Sequence, residues 1–449
     1  MILLLDAVGR GAKGPAQPRF VHVINQAWLG RSRVDEQRPS GRAFGISKQE
    51  VWQAYLKVRA NKGAPGADGC SIEVFEKDLK NNLYKIWNRM SSGSYFPPAV
   101  LAVEIPKPHG GGTRILGVPT VADRIAQTVV AVRLEKAVEP KFHPDSYGYR
   151  PHRSALDAVG RCRQRCWEYD WVIDLDIAKF FDSVPWDLII KAVRANTDQP
   201  WVVLYVTRWL AATIQMPNGT RAERDRGTPQ GSAVSPVLAN LFLHYAFDSW
   251  MARTFPTVPF ERYVDDAVVH CRSEHQARIV AAAIGQRLDQ VGLRLHPDKT
   301  RIVYCKDGRR AGSHEHTSFD FLGFTFRARA VRSRHGKVFT GFGPAVSKTA
   351  LKKMSAQVRS WRLHRHVTFT EQDLARWINP IVSGWMNYYG RFYRSQLYPL
   401  FKRINSYLVR WMRQKYKRLR TFKKAHAAWT RTTRQHPRFF THWQWVPEF

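Results

Sequence analysis

Four aspartates have the types and spacing that could do chemistry. Asp265 and Asp266 stand side by side in Phe260 to Cys271, FERYVDDAVVHC, and Asp174 and Asp176 alternate in Trp171 to Val184, WVIDLDIAKFFDSV. Adjacent carboxylates repel by roughly 4 kcal/mol at about 4 Å in a medium of effective dielectric about 20, so a cation should offset them. Mg²⁺ is the simplest candidate, a hard ion that takes carboxylate oxygens and keeps open positions for water or phosphate. An acid pair in a turn is, taken alone, most often a solvated turn, so the surrounding elements must decide. The apolar-leaning runs around Asp265 and Asp266 predict a β-hairpin with the pair at or near its turn. Period-two alternation places Asp174 and Asp176 on one face of a strand with Val172, and Ile173, Leu175 and Ile177 on the other. Carboxylates inside an apolar strand are costly unless they bind metal or lie at the strand end. Only tertiary folding can bring that strand beside the hairpin.

The chain has 449 residues, enough for two or three domains and a sizeable core. Its 71 Lys and Arg against 36 Asp and Glu give a formal charge of +35, which points to a polyanionic partner. The 16 Trp, 16 Tyr and 24 Phe add surfaces on which bases can stack. Five cysteines make no disulfide framework; Cys162 and Cys166, in a predicted helix, lack a second pair at zinc spacing and read as buried thiols. The opening MILLLDAVG has no basic start and is interrupted by Asp6, and no apolar run reaches membrane-spanning length. The expectation is a soluble protein of a reducing compartment with no membrane partner.

Residues 1–44, rich in Gly, Arg, Pro and Gln, predict a basic, flexible tail. Ser47, with Glu50 at capping-box distance, starts a helix that runs through Val51, Tyr55 and Val58 and stops at Asn61. The glycine loop NKGAPGADG lacks the Gly-Lys-Ser/Thr ending of a phosphate-cradling loop. From Val103 a strand, a glycine turn and a second strand bring Lys107 and Arg114 to one end of a hairpin, where two cations could grip a triphosphate. The loop Gly227 to Gly231 can approach a ligand closely, and Val237, Leu238, Leu241, Phe242 and Tyr245 behind it have helical core spacing. FDFLGFTF reads as a short buried strand pair or hairpin, and the histidines at 314 and 316 as part of a solvated loop. After Phe342 the pattern turns helical, with Pro380 expected to kink or end one helix. No acid occurs between Asp373 and Glu448, while Lys402, Arg403, Arg410, Arg413, Lys415, Lys417, Arg418, Arg420, Lys423 and Lys424 all lie there. That is the footprint of an RNA phosphate backbone.

Together these pieces resemble a group II intron reverse transcriptase and maturase, from about Ile46 to Trp443. The blocks fall in the family's order: NKGAPGADG, IPKPHGGGTRILGVPTVADRIAQ, DLDIAKFFDSV, GTPQGSAVSPVLANLFL, YVDD, GLRLHPDKT, FLGFTF and INPIVSGWMNYYGRFY. The resemblance implies an α+β right-hand polymerase, fingers and an antiparallel palm over 45–342, followed by an α-helical thumb and maturase domain over 343–449. It implies that Asp176, Asp265 and Asp266 are the palm carboxylates, with Asp176 and Asp265 the main ligands of two Mg²⁺ ions, for which Mn²⁺ can substitute, and Asp174 structural. Phe181 falls where the family blocks a ribose 2′-OH. Lys107 and Arg114 match triphosphate-gripping residues, Gln230 lies in the nucleotide-pocket loop, Lys299 matches a lysine that protonates or neutralises pyrophosphate, and FLGF resembles the primer grip. Two departures stand out: Val264 where most members carry Ala, and Ser232-Ala233 in place of a Gly-led pair.

The implied function is RNA-directed DNA synthesis with binding of intron RNA to promote splicing and retrohoming. The implied partners are an RNA template with a DNA primer, target DNA and deoxynucleoside triphosphates. The chain ends at Phe449 without the Cys and His pairs of an appended endonuclease, so an endonuclease-lacking bacterial type in the cytoplasm, associated with nucleoid or ribonucleoprotein, is expected. Two alternatives stay open: a domesticated enzyme of the same chemistry in DNA repair or phage defence, and an RNA-binding splicing chaperone with incidental polymerase activity.

Overall fold

The computed structural model describes residues 43–106, 112–333 and 335–449. Nearly all of the tail expected over 1–44, and Lys107, lie outside them. The chain begins as predicted: the Ser47 hydroxyl accepts from the Glu50 N–H and Glu50 accepts from the Ser47 N–H, starting α1 (Lys48–Ala60). Helices α2 (Ile72–Glu76) and α3 (Leu79–Ser91) lead to the hairpin of β1 (Val100–Pro106) and β2 (Thr113–Val118), and α4 (Val121–Val138) packs on α1.

The central part opens with α5 (Ala155–Glu168) and β3 (Trp171–Asp176), then the short α6 (Phe180–Ser183), α7 (Trp186–Arg194) and α8 (Pro200–Leu210). A small pair, β4 (Ile214–Gln215) and β5 (Arg221–Ala222), extends the β1–β2 sheet. Next come α9 (Ser235–Leu243), α10 (Ser249–Thr254), the hairpin of β6 (Phe260–Tyr263) and β7 (Asp266–Cys271), α11 (Glu274–Gln290) and β8 (Arg301–Tyr304). Strands order β6-β7-β3-β8, all antiparallel, so the predicted strand does lie beside the predicted hairpin.

Register on β3 follows from its two faces. Ile173, Leu175 and Ile177 enter one core with α4, α9 and α11, whereas Val172 enters a second with Val268, Val303 and α5. A slip of one residue would send Asp174 and Asp176 into the first core in place of Ile173 and Leu175. That exchange would bury two carboxylates and forfeit about 1.5–3 kcal/mol for each displaced apolar side chain. The second core continues through β9 (Phe319–Phe321), β10 (Phe324–Arg332) and β11 (Val338–Val346) into α12 (Lys348–Ser360), α13 (Glu371–Tyr393), α14 (Tyr398–Lys415) and α15 (Phe422–Gln435). The protein is thus α+β, with antiparallel sheets and a helical C-terminal region.

Two local expectations need correction and one is narrowed. Tyr245 is not core: a π-turn over His244–Asp248 breaks the 3.6-residue period and turns the ring outward, where its hydroxyl accepts from Asn196 Nδ2 at 2.8 Å. Of the two outcomes expected at Pro380, an end is excluded: α13 runs through it, held by Leu374, Ile378 and Val382, all fully buried. His314 is not simply solvated, for its ring lies 4.2 Å from that of Tyr304 and 4.7 Å from that of Trp171.

Candidate active site

Tyr263 pairs with Asp266 across the hairpin, so Val264 and Asp265 alone close it. Val264 has φ +61°, a left-handed conformation that is an outlier for a β-branched residue. Strain of about 1–3 kcal/mol at such a residue persists only where its surroundings over-determine it. Here they do. Arg262, 1% exposed, donates Nη1 to the Val264 carbonyl at 3.0 Å and to Asn240 Oδ1 at 3.1 Å. Its Nε and Nη2 each meet an oxygen of the buried Asp248 at 2.6 Å, and Nη2 also reaches Ser146 Oγ at 2.8 Å. Asn240 donates to the Gly148 carbonyl at 2.6 Å, and a Cβ on Gly148 would sit 2.6 Å from Val264 Cγ2, so glycine is needed for that segment to close on the turn.

The clamped turn faces the end of β3. Asp176 lies directly opposite Asp266 in the ladder, and opposed residues carry their side chains on one face with Cβ atoms about 4.5–5.5 Å apart. Asp265 follows in the turn. Lys299 Nζ lies 2.8 Å from Asp176 Oδ2, and the His296 N–H donates to the Asp176 carbonyl at 2.8 Å, pinning the Lys299 loop to the strand end. Desolvation, then repulsion from Asp265, Asp176 and Asp174, pushes the Asp266 carboxyl up to about 8. Asp266 is itself exposed to solvent, so the crowding of three neighbouring acids, more than burial, disfavours its charge. Asp265 is also pushed up, by desolvation and by Asp176, and Asp174 is raised to about 7 by desolvation, Asp320 and Asp176.

Acids that resist ionising together, one of them already holding an ammonium group, are a donor set suited to a divalent cation. Among the described residues, the trio of metal-type ligands that closes within 4.8 Å is instead Cys162, Glu261 and His270. The aspartate carboxylates lie farther apart than that. In the buried trio, Glu261 is already paired with Arg165 at 2.5 Å and with His270 at 2.6 Å, and Cys162 and Cys166 are buried thiols, as the sequence implied.

Three further candidates are linked through the Gly227 to Gly231 loop. The Thr228 N–H donates to the Phe181 carbonyl at 2.7 Å, laying the Gly227 to Gly231 loop against α6. The Gly117 N–H donates to the Gln230 carbonyl at 2.8 Å, laying the same loop against β2, the strand that carries Arg114. Arg114 Nε is buried without a hydrogen-bond partner. A network that sequence reading missed locks this loop: Gln127 Oε1 accepts from Ser232 Oγ and the Ala233 N–H, both at 2.8 Å, while Gln127 Nε2 donates to Asp123. Asp123 is raised to about 6 by full burial, against hydrogen bonds from Trp209, Tyr95 and Gln127. Its signal was two polar residues four apart in a helix otherwise apolar at those positions.

Residues 105–326 match the family Reverse transcriptase (RNA-dependent DNA polymerase), and residues 351–429 match Group II intron, maturase-specific domain. Protein YkfC of Escherichia coli (strain K12) is 30% identical over 340 residues, covering 66% of this chain and 85% of that protein. The chain belongs to the group II intron reverse transcriptase and maturase family. As a member it is an RNA-directed DNA polymerase, and enzymes of this family use divalent metal ions. Group II intron-encoded protein LtrA of Lactococcus lactis subsp. cremoris is 29% identical over 191 residues, 42% of this chain and 32% of LtrA. A 91 kDa protein in the cob intron of Schizosaccharomyces pombe is 31% identical over 208 residues, 45% of this chain and 24% of that one. The chain therefore spans a third or less of the length of these last two relatives.

Within the maturase-specific stretch, Arg403, Arg410, Arg413, Lys417 and Arg418 are exposed on α14 and the turn after it, and Lys423 and Lys424 on α15. Lys415 differs: its ammonium donates to the Val367 and Phe369 carbonyls at 2.9 and 2.7 Å, tying α14 to the loop before α13. Lys402 lies 3.2 Å from Glu448. Among the described residues no helix is long and apolar enough to cross a membrane.

Proposed function

We propose that this protein copies an RNA template into DNA from a DNA primer and binds its own group II intron RNA to promote splicing and retrohoming into target DNA. The observation that carries the reading is Asp176 opposite Asp266, with Asp265 next to Asp266 in the clamped turn that closes the β6–β7 hairpin. In this reading the three aspartates hold Mg²⁺, with Asp176 and Asp265 as main ligands. Bound divalent ions supply charge neutralisation at the attacking 3′-hydroxyl and the departing pyrophosphate.

The remaining steps belong to side chains. Arg114, with Lys107, grips the triphosphate, and Gln230 lines the nucleotide pocket. Phe181 stands beneath the sugar and excludes a 2′-hydroxyl. Lys299, 2.8 Å from Asp176, neutralises or protonates pyrophosphate. Fingers and palm span 45–342 and a helical thumb and maturase region 343–449, in which Arg403, Arg410, Arg413, Lys417, Arg418, Lys423 and Lys424 contact the intron RNA backbone. Asp265→Ala should abolish primer extension on an RNA template in Mg²⁺ and leave splicing assistance intact. Retained DNA synthesis in that variant would overturn the assignment of the acids, and loss of both activities would overturn their separability.

A further inference from the structure

A groove of about 820 Å³ lies between α5 and the C-terminal half of α13, and none of the active-site candidates lines it. Arg161, Arg163 and Trp167 form one wall; Asn387, Arg391 and Phe392 form the other. Trp167 is 50% exposed, yet its indole N–H donates to the Phe342 carbonyl at 2.8 Å, which fixes the ring while leaving it open to solvent. The Arg163 guanidinium lies 4.7 Å from the Trp167 ring and 5.8 Å from that of Phe392, bridging the two walls. Among the described residues none of the three arginines forms an ion pair. The acid that lines the groove, Asp157, is engaged by the Ser154 N–H at 2.9 Å and the Ser154 hydroxyl at 2.7 Å, as the cap of α5.

Uncompensated guanidinium groups select phosphate, which they can grip in bidentate fashion. A fixed aromatic ring with an arginine beside it selects the face of a base, and bases show their faces only where they are unpaired. We propose that this groove binds a single-stranded stretch of RNA, its phosphates on Arg161, Arg163 and Arg391 and a base against Trp167. The inference rests on the reading of the protein as RNA-binding and adds to it a place and a strandedness.

The test is equilibrium binding of a mixed-sequence single-stranded oligoribonucleotide, and of a duplex RNA of the same length, across a salt series. Arg161→Gln/Arg163→Gln/Arg391→Gln should weaken single-strand binding at least tenfold. It should also flatten the slope of log affinity against log salt by about 2, since each phosphate contact on a single strand contributes about 0.7. Trp167→Ala, which removes no charge, should weaken binding roughly fivefold or more at an unchanged slope. Duplex binding should hold in both. Unchanged affinity and slope in the triple variant, or an equal loss on duplex, would overturn the proposal. Primer extension on an RNA template, measured on the same preparations, should stay at the wild-type rate. That rate reports on the polymerase reading independently of how the groove behaves.

Discussion

Asp248→Asn probes whether the buried pair beneath the hairpin holds the fold or the catalytic turn. Asp248 and Arg262 are 0% and 1% exposed, and removing one charge of such a pair costs about 3–5 kcal/mol because the other is left buried and unpaired. Asparagine can still accept from Arg262 Nε, but its own N–H₂ then meets Nη2, donor against donor. Arg262 must shift, and the hydrogen bond that it gives the Val264 carbonyl goes with it, a loss of about 1.5–3 kcal/mol for a charged donor. This is comparable to the strain of about 1–3 kcal/mol stored in left-handed Val264, so the turn is then free to relax and carry Asp265 away from Asp176. Thermal unfolding should register the full loss. In single-nucleotide primer extension below the unfolding midpoint, the Mg²⁺ concentration for half-maximal rate should rise about tenfold, the equivalent of about 1.4 kcal/mol. Adding Val264→Gly should bring that midpoint part-way back, since glycine adopts the turn without strain. Lost stability with an unchanged Mg²⁺ midpoint would refute the reasoning and leave the pair a purely structural one.

Two other outcomes are expected. Phe181→Ala leaves the backbone carbonyl that holds Thr228 in place, so the pocket loop should stay put while ribonucleotide incorporation rises at least tenfold; unchanged sugar selectivity would remove Phe181 from its gating role. His442 is fully buried with Nε2 2.7 Å from Asn405 Oδ1, and burial pushes its pKa down to about 3. Its unfolded pKa is about 6.5, so the unfolded chain binds the proton first, and stability present above pH 6.5 is lost as pH falls toward 3, by at most about 5 kcal/mol. Denaturant unfolding at pH 7 and pH 4 should show this slope in the wild type and a flatter one in His442→Gln; parallel slopes would contradict it.

The sequence by itself determined what is local or periodic. Alternation on β3 decided which face Asp174 and Asp176 share, the Ser47 and Glu50 spacing decided where α1 starts, and the order of blocks decided the family. Each depends on neighbours within a few residues, or on a pattern that survives without knowing what lies across from it.

Partners were another matter. The Asp248 and Arg262 pair, Gln127 beneath the pocket loop, and Lys415 turned inward onto carbonyls all looked like ordinary helix or strand polar residues, because a side chain's partner across the fold leaves no mark on its own spacing. Tyr245 was misplaced because one inserted π-turn shifts every later residue around the axis, and nothing in the apolar period announces it. Tertiary structure alone decided that Val264 is held in a conformation it would not choose, since the groups that hold it come from Asp248, Asn240, Ser146 and Gly148 and meet only when the chain closes around the turn.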